Sequence, residues 1–203
     1  MILYGTARSR ASRCLWLLEE VEADYEFIVI DFRKGDHLTD WFLAMNPNGK
    51  VPVLKDGNLN LFESAAICNY LGVKFPHKAL IPSGSFEKAK YDQWMFFVMS
   101  ELEQPLWSIG KHKFALPAEY RLSTMKKTAL FEWQKALDVL KLGLGGGSFL
   151  LGGQFTIADI MTVQTLQWAK SFGIDIGDPK IEAYRERCIS RPAFRAVVEK
   201  YYS

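Results

Sequence analysis

The side chains that could do chemistry here are few, and their spacing excludes more than it admits. Cys14, Cys68 and Cys188 lie far apart with no Cys-x-x-Cys, and His37, His77 and His112 show no metal-ligand spacing. Sparse cysteines in apolar surroundings are expected as reduced, buried thiols, and no metal is expected. The glycine cluster at 143–147 lacks the Lys-Ser/Thr ending of a phosphate-binding loop. What is left is hydroxyl and carboxylate chemistry at helix starts. Ser9 precedes a helical stretch, and Ser64 follows Glu63 where an apolar strand gives way to a helix. The free N–H groups and positive dipole end of a helix suit a carboxylate, although capping is the commoner task of such a serine. Thr156 and Asp159 have the spacing of a capping box, with Phe155 and Ile160 as a hydrophobic staple, so Asp159 is expected to be structural. One proline is out of place. Pro52 interrupts the strand-like run Val51–Leu54, where it can donate nothing to a sheet.

The elements that must position these residues follow from apolar periodicity. ILY near the start is a short strand; Cys14, Leu17, Leu18 and Val21 then fall at helical spacing, and FIVI, residues 27–30, fits a buried strand. Two strands about a helix imply parallel pairing. VPVL and LNLF flank Asp56-Gly57, a hairpin signal, and Ala66, Ile67, Tyr70 and Leu71 give the next helix its apolar face. The order βαβ-ββα makes a small α/β layer fold of the thioredoxin kind over residues 1–74. Residues 75–84, with two prolines and a glycine, read as a linker. Residues 85–203 read as all helical, with apolar stripes at Tyr91, Trp94, Met95, Val98 and Leu102 and at Leu130, Trp133, Leu137 and Leu140. About half of the 203 residues are apolar and net charge is only +2, so charge-driven nucleic-acid binding is not expected. No apolar run reaches membrane-spanning length, and a soluble, cytoplasmic protein is expected.

The segments NPNGKVPVL, FESAAICNYL, FTIADI and SRPAF, in this order, resemble those of the cytosolic glutathione transferases across essentially the whole chain. SRASRCLWLLEE and HLTDWFLAMNP are similar to the serine-type bacterial and fungal, theta-like branch. The resemblance implies a cis bond before Pro52, which would leave the Val51 backbone to pair, strand-like, with bound glutathione. It implies Glu63 and Ser64 as grips for the γ-glutamyl end, and Lys50 with His37 for the glycyl carboxylate. It implies Ser9 as the hydroxyl facing the sulfur, with Tyr4, the tyrosine position of other classes, as runner-up. Trp107, His112, Phe114 and Tyr120 are expected around a second-substrate pocket.

The magnitudes suffice for that chemistry. A cysteine thiol titrates near pH 8.5, and bringing it to about 6.5 takes about 2.7 kcal/mol of preferential stabilisation. A hydrogen bond to a charged group supplies about 1.5–3 kcal/mol, and a helix N-terminus about 0.3–1 kcal/mol more. No general base is required. The expected activity is attack of glutathione thiolate, glutathione being the co-substrate, on a small hydrophobic electrophile by a homodimer. Glutathione-dependent peroxidase or disulfide reductase activity, and a non-catalytic regulator of the same fold, are the alternatives.

Overall fold

The computed structural model describes residues 1–202, which form two compact units: Met1–Ile81 together with the stretch from Cys188 onward, and Pro82–Arg187. In the first unit β1 (Ile2–Gly5), α1 (Ala11–Glu20) and β2 (Glu26–Val29) make the expected βαβ, with β1 and β2 parallel. A short α2 (Asp40–Leu43) precedes the hairpin of β3 (Val53–Asp56) and β4 (Leu59–Phe62), and α3 (Ser64–Lys74) follows. The sheet order is β2-β1-β3-β4, and β3 runs antiparallel to both neighbours. Asp56 pairs with Leu59, so the turn is Gly57-Asn58, and Gly57 supplies the positive φ of +58° that a side chain would resist.

FIVI is an edge strand rather than a buried one: Val29 is 63% exposed while Ile30, just past the ladder, is buried. Apolar content marked the strand, but the strand's place in the sheet is set by pairing partners elsewhere in the chain. The unit is completed from the far end of the sequence. α9 (Pro192–Tyr201) packs on α1 through an edge-to-face Trp16–Phe194 pair, a two-pronged Arg191–Glu20 ion pair and Lys200–Glu19. Tyr25 joins this seam by donating to Glu19 and meeting the Tyr201 hydroxyl at 3.0 Å. Burial and these two partners push its phenol well above the ordinary range.

The second unit contains α4 (Ser85–Phe97), α5 (Glu103–Gly110), α6 (Met125–Gly143), α7 (Ile157–Ser171) and most of α8 (Pro179–Ile189). A π-helical turn, Val98–Leu102, joins α4 to α5. Pro105 explains it: with no N–H and a ring that crowds the carbonyl four residues back, the chain must widen there. The first stripe is buried as expected. On α6 the buried set is Ala129, Trp133, Ala136, Leu137 and Leu140, and Leu130 turns partly outward. Gly143 lies against Trp94, whose ring any side chain there would overlap.

α7 is buried along most of its length, and its polar groups are all supplied with partners. Thr162 and Thr165 donate to the carbonyls of Ala158 and Met161. The Thr156–Asp159 capping box is present. Asp159 also accepts from the Leu150 N–H and the Tyr184 hydroxyl, each at 2.9 Å. Burial raises its carboxyl against the pull of these donors. Its role is to knit a loop and two helices together.

Candidate functional site

Thr6–Arg10 forms the turn between β1 and α1. Ser9 is half-buried in it, donating to the Thr6 carbonyl at 2.6 Å and accepting from the Ala11 N–H at 3.1 Å. The hydroxyl expected to face sulfur is therefore also the fastener of the helix start. Directing its proton to a thiolate means giving up the Thr6 carbonyl, a neutral bond worth about 0.5–1.5 kcal/mol net, for a charged acceptor worth about twice that. The exchange is favourable. Ser12 donates its hydroxyl to the Ser9 carbonyl, and Arg8 donates to the Tyr202 carbonyl at 2.7 Å. Tyr4 is enclosed with Ile30, Phe42 and Val53, its ring 5.8 Å from that of Trp41. That is packing, whatever else its phenol does.

Across the unit, Glu63 adopts φ +70°, ψ 113°, a conformation side chains rarely accept, directly before α3. Such strain costs about 1–3 kcal/mol and persists where the surroundings impose it. Here it points the chain into a helix whose first residue, Ser64, is buried. The Ser64 oxygen accepts from Arg13 at 3.2 Å, which leaves its own O–H to donate elsewhere.

Arg13 was absent from the sequence-based candidates, although a signal existed. It falls four residues before Leu17 on the inward stripe of α1, where a charge has no ordinary place. The arginine is fully buried on α1, four positions along the chain from Ser9. Thus one buried cation ties α1 to the start of α3. Beside it Cys14 is buried, with its thiol pushed up by burial and by Cys68, as suits a core residue.

The third corner is the loop before β3. The Val51–Pro52 bond is cis, and Val51 lies ahead of the ladder, which begins at Val53. Asn46 organises this loop: its Nδ2 donates to the Lys50 carbonyl at 2.7 Å and its Oδ1 accepts from the Asn48 N–H. Gly49 approaches closely, since a Cβ there would sit 3.1 Å from the His37 carbonyl. Lys50 is exposed. His37 lies against Phe32 with tilted rings 4.5 Å apart, and its Nδ1 is buried with no hydrogen-bond partner among the described residues. That nitrogen is able to take a bond from water or from a bound molecule.

The four residues expected around a second substrate all lie in the second unit and do not share one wall. Trp107 pairs with Trp168, and Phe114 with Phe172, forming an aromatic row with Trp168–Phe172 at its centre. His112 lines a cavity of about 270 Å³ that also touches Phe172. Tyr120 is 65% exposed and stands apart.

Residues 1–72 match the model of the glutathione S-transferase N-terminal domain, and residues 98–192 that of the C-terminal domain. A probable glutathione S-transferase GSTF2 from Oryza sativa is 34% identical, covering 80% of this chain and 78% of its own. Glutathione S-transferase theta-1 from Bos taurus is 31% identical over 91% of this chain and 80% of its own, among relatives that are mostly plant transferases. The crystal structure of glutathione transferase URE2P6 from Phanerochaete chrysosporium, in complex with oxidized glutathione, superimposes with a TM-score of 0.87 at 26% identity. It covers 99% of this chain and 96% of its own. With a thioredoxin-like sheet, a helical second half and both family domains matched in order, the chain belongs to the glutathione S-transferase family.

Proposed function

We propose that the protein is a serine-type glutathione transferase, akin to the theta-like branch, in which Ser9 stabilises the thiolate of bound glutathione. Residues 1–74 serve as the glutathione-binding domain, 75–84 as linker and 85–203 as the helical part of the chain, whose last helix, α9, returns to pack on α1. The supporting observation is the hydroxyl of Ser9 in the turn that opens α1, already held by two hydrogen bonds, in the same unit where Arg13 of α1 bonds Ser64 at the start of α3. Glutathione lies with its cysteinyl backbone along Val51 and its γ-glutamyl end between Ser64, which faces the carboxylate, and the strained Glu63, which contacts the rest of that γ-glutamyl part. Its glycyl carboxylate faces Lys50 and His37, whose unpaired Nδ1 gains a partner.

The thiol loses its proton to solvent on binding, and Ser9 then donates a hydrogen bond to the sulfur without accepting that proton. The thiolate attacks an electrophilic carbon, a carbon–sulfur bond forms, and the leaving group departs with the electron pair. The electrophile packs against aromatic side chains drawn from Trp107, His112, Phe114 and Tyr120. The active species is a homodimer in the cytoplasm.

Calorimetric titration of glutathione, followed by turnover of an aryl chloride and of a small disulfide, tests this reading. Binding with aryl chloride turnover supports it. Binding with disulfide turnover alone moves the enzyme to reductase chemistry, and absence of binding at millimolar glutathione removes the transferase reading.

A further inference from the structure

Arg8 and Ser12 stand on either side of Ser9 in the sequence, and both meet one residue from far along the chain, Tyr202. Tyr202 closes α9, and its own N–H is taken by the Val198 carbonyl at 3.0 Å. Its carbonyl lies at the end of that helix, where no helical N–H follows to take it. Arg8 supplies the missing donor at 2.7 Å, with its guanidinium carbon 5.8 Å from the centre of the Tyr202 ring. A cation at the negative end of a helix is the favourable pairing.

The phenol of Tyr202 bonds the Ser12 hydroxyl. Ser12 is buried in the first turn of α1 and gives its own proton to the Ser9 carbonyl at 2.7 Å. A hydroxyl has one proton to give, so toward Tyr202 the Ser12 oxygen accepts and the phenol donates. The result is a relay from Tyr202 O–H to Ser12 O–H to Ser9 C=O, in which each bond polarises the next. Burial pushes the phenol up while Ser12 and Arg8 pull it down; the net shift is upward, so it keeps its proton at neutral pH. α9 is a firm anchor for the relay. Arg191 and Lys200 pair with Glu20 and Glu19 of α1, and the Tyr201 ring packs edge-on to Phe27 of β2 at 5.1 Å.

We propose that Tyr202 is a positioning residue for the transferase reaction: through Ser12 and Arg8 it fixes the backbone of the turn that presents the Ser9 hydroxyl to the sulfur. Ser9 must release the Thr6 carbonyl to serve a thiolate, and it then keeps only the Ala11 N–H of its two side-chain bonds. The carbonyl of the same residue has to stay fixed if the hydroxyl is to reach the sulfur in line. The relay supplies that fixed point, and a misplacement of about 1 Å at such a group is enough to lower a rate about a hundredfold. The inference rests on the assignment of Ser9 in the proposed function, and Tyr202 acts on the reaction through Ser9.

The test measures kcat and KM across pH, with glutathione and an aryl chloride, for Tyr202→Phe, Tyr201→Phe, Ser9→Ala and the double variant Ser9→Ala, Tyr202→Phe, each beside a thermal melt. Tyr202→Phe removes one oxygen and keeps the ring against Arg8. It should lower kcat at neutral pH by about threefold to tenfold, the worth of one neutral hydrogen bond, with KM for glutathione changed less than about twofold. The rise of rate with pH should move upward by about half to one unit, since a less stabilised thiolate forms at higher pH. In the Ser9→Ala background the same change should have no further effect on kcat, because the group it positions is gone. Tyr201→Phe loses the contact with Tyr25 and controls for the docking of α9; its rate profile should follow wild type. The proposal is overturned if Tyr202→Phe keeps the wild-type pH profile, or if it costs the same factor with and without the Ser9 hydroxyl. It is equally overturned if Tyr201→Phe shifts the profile as much, or if the loss falls on KM for the aryl chloride alone, which would make Tyr202 a wall of the electrophile site. A Ser9→Ala variant as active as wild type would instead remove the serine-type reading, and the positioning role with it.

Discussion

At the scale of single residues, the dual employment of Ser9 decides what its removal should do. Ser9→Ala should lower kcat and move the rise of rate with pH upward, with glutathione affinity changed little. Because the hydroxyl also ties Thr6 to Ala11, the same variant should lose about 1 kcal/mol of stability, the usual worth of such a cap. Rate measured across pH, paired with thermal melting, separates the two effects; a silent Ser9→Ala beside an impaired Tyr4→Phe would transfer the role to Tyr4. Ser64→Ala removes the acceptor of a buried guanidinium. It should weaken glutathione binding and cost about 1–3 kcal/mol, read by calorimetry and by denaturant unfolding. Ser64 and Pro52 were legible in the sequence because helix starts and misplaced prolines leave local signs. Arg13 and Asn46 were not singled out, because what makes them important is contact with residues distant along the chain.

At the scale of elements, two polar clusters fasten what the apolar pattern only brings near. Asp56 at the end of β3 accepts from Tyr70 and Lys74 of α3, fixing the hairpin to the helix. These partners favour the charged carboxyl and hold it below its usual range. The folded state thus binds fewer protons than the unfolded one at low pH, so the contribution is complete above about pH 4 and fades as pH falls below that. The stability gap between wild type and Asp56→Asn, followed by unfolding at several pH values, should close on acidification. Asp159 is the stronger fastener. Asp159→Ala leaves the Leu150 and Thr156 amides and the Tyr184 hydroxyl without their acceptor in a buried place, and should cost about 3 kcal/mol or more by thermal or chemical unfolding. The capping box was readable from four consecutive residues. Its extra duty toward Leu150 and Tyr184 needed the tertiary structure, as did the exposure of Val29 on its edge strand.

At the scale of the whole molecule, ligand binding and folding are linked. Glutathione at about a hundred times its dissociation constant should stabilise the protein by about 2.7 kcal/mol, and so raise its melting temperature by several degrees, measurable by calorimetric scanning. The fold class and the order of its two halves followed from periodicity, since each half repeats its own period over many residues. The destination of the last helix did not, because nothing in an amphipathic stretch names the surface it will cover. That surface is α1, where Glu19 and Glu20 wait for Lys200 and Arg191. During synthesis the opening segment emerges from the ribosome nearly the full length of the chain ahead of the one that shields it. The side of α1 that faces α9 therefore stays uncovered until α9 itself has been made.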